Sequence, residues 1–71
     1  MNNIRKLRIE KGWNQKDLVA EAKISRPTIN AVEKEKLDPP LSIVREICVA
    51  LGVKTIDEVF PLIDEKKHNN I

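Results

Sequence analysis

Seventy-one residues, 41% of them hydrophobic and 34% charged, suffice for one domain at most. A chain this short buries only roughly 60% of its unfolded surface, so the core must be small. A net charge of +2 excludes nothing by itself, but a single cysteine, Cys48, excludes an internal disulfide and suits a reducing cytoplasm.

The periodicity predicts five helices and no strand. The first covers residues 3–11: Ile4, Leu7, Arg8 and Lys11 fall at i, i+3, i+4 and i+7, and Gly12 supplies the stop. Arg8 is an odd charge on that apolar stripe. It either pairs with an acid or carries its head to solvent along its own stem. Trp13 follows at the corner and is expected to plug the core. Asn14 is an N-cap candidate for a second helix over 15–22, in which Leu18, Val19 and Ala22 share a face. Only Lys23 and Ile24 separate it from the next cap, Ser25. Pro27 lies just inside the third helix, over 26–34, where a missing N–H costs nothing. Ile29 and Val32 form its apolar face. So short a link makes the two helices cross steeply, as in a helix-turn-helix.

Asp38, Pro39 and Pro40 break the helical pattern. A fourth helix over 41–51 then places Leu41, Val44, Ile47, Cys48 and Leu51 on one face, and Gly52 ends it. Cys48 reads as a small core residue. Thr55 caps a fifth, short helix over 56–60, with Asp57 and Glu58 in its first turn and Pro61 as its stop. The domain is expected to span 1–63 and a flexible tail 64–71, with His68 in that tail and no ligand-type neighbour at metal spacing. No segment approaches the ~18 apolar residues of a membrane span, and no signal-peptide pattern is present. A cytoplasmic protein without a membrane partner is therefore expected.

Gln15, Leu18, Ile24, Ser25, Arg26, Thr28, Ile29, Ala31, Val32 and Glu33 stand in a register that resembles the Cro/repressor-type, Xre-like helix-turn-helix DNA-binding family, the fold of lambda repressor and Cro. The resemblance runs from about Ile4 to Phe60. It implies an all-α, compact five-helix domain with the helix-turn-helix at the second and third helices. It also implies an ion pair between Arg8 and Glu33. Four positions depart from the family pattern. Lys23 stands where a glycine is usual and Val19 where a small residue is usual. Lys34 and Glu35 stand where Asn-Gly is frequent.

The charge distribution agrees with a nucleic-acid partner. Residues 1–36 carry nine Lys and Arg against five acids, and residues 37–71 carry four against six. The basic half contains the helix-turn-helix, as a phosphate-binding face requires. In such a fold the second helix of the motif enters the major groove. Arg26 and Asn30, at i and i+4 opposite Ile29 and Val32, have the chemistry for bidentate readout, arginine on guanine and asparagine on adenine. Gln15 matches a family position that holds a phosphate and approaches a base. Pro27 and Ala31 match base-facing positions but offer only apolar contact. Asn14, Gln15, Lys23, Ser25, Thr28, Lys34 and Lys36 are the phosphate candidates.

One helix reads too few base pairs for a unique site, so a homodimer on a near-palindromic operator is expected, with Phe60, Leu62 and Ile63 as the interface. No catalytic constellation, phosphate loop or Cys/His cluster is present, so neither an enzyme, a cofactor, a metal nor a small-molecule substrate is expected. The alternative is a protein-binding module, such as an antitoxin that neutralises a partner.

Overall fold

The computed structural model describes residues 2–61. Four α-helices follow one another: α1 (Ile4–Glu10), α2 (Gln15–Ala22), α3 (Arg26–Glu33) and α4 (Leu41–Leu51). One turn of 3-10 helix, Ile56–Glu58, follows α4. No strand occurs among the described residues. α2 is the central element, packed against both α3 and α4.

Each helix starts and stops for a local reason. Asn14 Oδ1 accepts the Asp17 N–H at 3.0 Å, while Asp17 Oδ2 accepts the Asn14 N–H at 2.9 Å, a reciprocal cap on α2. Ser25 caps α3 by accepting the Thr28 N–H at 3.4 Å. α1 ends at Gly12, φ 77°. There the Trp13 N–H reaches the Arg8 carbonyl and the Gly12 N–H the Ile9 carbonyl, both at 2.9 Å. α3 ends with the same pair of bonds, Lys36 N–H to Ala31 and Glu35 N–H to Val32, but the left-handed residue is Glu35, φ 60°. This is the position where the family often has glycine.

The core consists of Ile4, Leu18, Ala22, Ile24, Ile29, Val32, Ile47, Cys48, Leu51 and Val59. Ile4, Leu18, Ile29, Val32, Ile47 and Val59 are sealed from solvent, each worth about 1.5–3 kcal/mol of burial. Two expectations are corrected. The fifth helix is only one 3-10 turn, Ile56–Glu58, and a proline at 61 disfavours continuing it as an α-helix. Leu41 does not join the core face of α4. It is 65% exposed, because it opens the helix a turn before the helix meets its neighbours. Trp13 is half-buried against the core, with the Lys11 ammonium 5.1 Å from its ring centroid.

Asn2 and Asn3 tie the start of α1 to the other end of the fold. Asn2 Nδ2 donates to the Val32 carbonyl at 2.9 Å, and its N–H donates to Glu35 Oε2 at 2.6 Å. Asn3 donates from its backbone N–H to the Val59 carbonyl at 2.8 Å and from Nδ2 to the Glu58 carbonyl at 3.0 Å. The end of α3 and the 3-10 turn are thus held to one short segment.

Candidate nucleic-acid interface

The surface that could meet DNA is built around the α2–α3 junction. Lys23 has φ 58° and ψ 40°, and its N–H bonds the Val19 carbonyl at 2.8 Å. That single left-handed residue turns the chain within the two-residue link. Ile24, buried, anchors the turn from below. α3 then lies with Ile29 and Val32 in the core. With those two fixed, helical geometry carries Arg26 outward, exposed, and leaves Asn30 half-buried at the edge facing α2.

Gln15, in the first turn of α2, meets both. Arg26 Nε donates to Gln15 Oε1 at 3.4 Å, and Gln15 Nε2 donates to Asn30 Oδ1 at 3.1 Å. Gln15, Arg26, Pro27 and Asn30 line one shallow surface depression. Gln15 Nε2 also reaches Glu33 Oε1 at 3.4 Å. Glu33 is in turn gripped from two sides by Arg8, Nε to Oε2 at 2.8 Å and an outer guanidinium nitrogen to Oε1 at 3.1 Å. The other outer nitrogen of Arg8 donates to the Trp13 carbonyl at 3.0 Å. The two side chains are 9% and 6% exposed, so this is a buried, forked pair rather than a surface contact. A continuous chain of polar contacts therefore runs from the core to the outward face of α3.

A single resemblance in the α2–α3 register could still be coincidental. Residues 4–59 match the family model described as helix-turn-helix, which covers α1 through the 3-10 turn. The chain belongs to the Cro/repressor-like helix-turn-helix family. A "hypothetical transcription factor" of Neisseria meningitidis serogroup B is 32% identical over 59 residues, covering 83% of this chain. The chain spans 56% of that relative's length. An HTH-type transcriptional regulator of Methanothermobacter thermautotrophicus is 37% identical over 62 residues, covering 87% of this chain and 88% of its own. Another, from Methanocaldococcus jannaschii, is 35% identical over 65 residues, covering 92% and 97%. The helix-turn-helix of this chain is accordingly that of a DNA-binding transcription regulator, a class that is typically not enzymatic.

The remaining site candidates fall into distinct places on this helix-turn-helix. Lys23, Lys34 and Lys36 are exposed. Asn14 and Ser25 have their side chains committed to helix caps, and the Thr28 hydroxyl lies 2.9 Å from that of Ser25. Pro27 is exposed and Ala31 half-buried. Phe60 is half-buried against the core, and Leu62 and Ile63 lie outside the described residues. The links from Gln15 to Asn30 and Glu33 left no trace in the sequence pattern, because they depend on how α2 and α3 cross. Cys48 is buried. Burial first, and the Glu58 carboxylate second, push its thiol pKa up, which suits a packing group rather than a nucleophile. Among the described residues no group of His, Cys, Asp and Glu could hold a metal ion, and no helix is long and apolar enough to cross a membrane.

Proposed function

We propose that this chain is a sequence-specific repressor that acts in the cytoplasm, binding a near-palindromic operator as a homodimer with α3 in the major groove. One observation carries the reading. Arg26, Asn30 and Gln15 stand together at the outward edge of α2 and α3, while the opposite face of α3 is sealed in the core. A guanidinium in the first turn of a helix that enters the groove N-terminus first faces base edges, where it can bond guanine O6 and N7 together. Pro27 and Ala31 add apolar contact with a thymine methyl. Lys23, Lys34 and Lys36, with the helix starts at Asn14 and Ser25, hold the phosphates on either side. Gln15 closes the groove-facing edge from α2.

Next to the proposed interface residue Phe60 lies an open groove of about 530 Å³, lined by apolar Val32, Leu37, Pro39, Phe60 and Pro61 and by polar Asn2, Glu35, Lys36 and Asp38. Occupying an operator is enough to repress. The test is binding of labelled duplexes, one selected from a random pool and one scrambled, at several salt concentrations. The selected duplex should bind roughly 10³-fold or more tightly than the scrambled one, and both affinities should fall as salt rises. Equal, salt-insensitive affinities would sink the proposal and leave a protein-binding module as the better account.

A further inference from the structure

Among the groups that face the groove, hydrogen-bond direction is set from the core. The Gln15 amide lies between two partners that can each bond in only one sense. Glu33 Oε1, 3.4 Å away, belongs to a carboxylate clamped by Arg8 and only accepts. Arg26 Nε, also 3.4 Å away, only donates. The NH₂ of Gln15 must therefore face Glu33, and its carbonyl must face Arg26. Turning the amide over would set oxygen against carboxylate and N–H against N–H. With both amide hydrogens of Gln15 directed inward, Asn30 can meet it at 3.1 Å only through its own carbonyl oxygen. The oxygen that would accept from the N6 amine of adenine is thus turned toward Gln15, and the NH₂ of Asn30 is turned away from it.

We propose that Glu33, acting through Gln15, fixes Asn30 as a hydrogen-bond donor, so that Asn30 and Arg26 both read acceptor atoms, with guanine preferred at both positions. This rests on the DNA-binding reading above, and it replaces the adenine expected for Asn30 from residue type alone. Glu33 and Gln15 are positioning residues: they change which base is preferred without bonding it. Guanine is the favoured base because O6 and N7 are two acceptors side by side, whereas adenine presents a donor beside its N7.

The experiment selects sites from random duplex DNA with the full chain and with three variants. Asn30→Ala identifies the position that Asn30 reads, as the one whose preference disappears. At that position the wild type should favour guanine over adenine by roughly fivefold or more. Gln15→Ala, and the near-isosteric Gln15→Met, free the Asn30 amide to turn. Each should move the preference at that position toward adenine and leave thermal unfolding nearly unchanged. An adenine preference in the wild type, or the same guanine preference after both Gln15 substitutions, overturns the proposal. So does an Asn30→Ala variant that selects the wild-type site unchanged. Failure of the wild type to enrich any sequence would overturn the DNA-binding reading itself, a result distinct from selection of the wrong base.

Discussion

Arg8 carries a full charge on the face of α1 that also presents Ile4 to the core. Its guanidinium is satisfied by two bonds to Glu33 and one to the Trp13 carbonyl, and no buried side-chain polar atom among the described residues lacks a partner. Such a pair adds little net stability against an apolar replacement of the same shape, because both charges were taken out of water. Breaking it is another matter. Arg8→Ala leaves Glu33 buried without its counter-ion and should destabilise the fold by about 3 kcal/mol in urea denaturation. A loss below roughly 0.5 kcal/mol, the scale of a surface pair, would contradict the burial seen here. The same substitution should also loosen Gln15, since Glu33 would then be free to turn away from it.

At the scale of elements, the link between α2 and α3 is under strain that a single change can relieve. Lys23 holds φ 58°, where a side chain costs roughly 1 kcal/mol relative to glycine. Lys23→Gly should therefore raise the midpoint of thermal unfolding in the absence of DNA, and a lower midpoint would count against this account of the turn. The helix limits were legible because they are local. Asn14 with Asp17, Ser25 with Pro27, Gly12 and Gly52 each announce a boundary, and the bounds of α2 and α4 match the periodicity residue for residue. Arg26 was legible as an outward residue because Ile29 and Val32 fix the rotation of α3, whereas Asn30, expected on the same outer face, is half-buried toward α2. What was not legible is tertiary. Val59 is sealed in the core from a single turn with no apolar period of its own. Asn2 and Asn3 look like ordinary polar residues until their partners, 30 or more positions away, are seen. Glu35 takes a glycine's conformation where α3 ends, and its carboxylate accepts the Asn2 N–H from the start of the chain. The polarity of Asn30 depends on the crossing of α2 and α3, which no pattern along the chain encodes.

For the molecule as a whole, the reading requires two copies, since one α3 contacts too few base pairs to define a site. Leu62→Glu should weaken self-association, seen by sedimentation, and weaken operator binding, while circular dichroism still reports a helical monomer. Normal dimerisation of that variant would place the interface elsewhere. The two recognition helices of the dimer should then lie ~34 Å apart, one turn of DNA. The central claim is that α3 reads bases through Arg26 while lysines such as Lys34 only hold the backbone. It is tested most directly by measuring affinity for operator and for scrambled DNA across several salt concentrations, with wild type, Arg26→Ala and Lys34→Ala. Arg26→Ala should lose roughly 1–3 kcal/mol per half-site on operator and little on scrambled DNA. Lys34→Ala should weaken both alike and flatten the salt slope by roughly one unit. An Arg26→Ala variant that loses affinity equally for both DNAs would show that Arg26 is a backbone contact, and the central claim would be wrong.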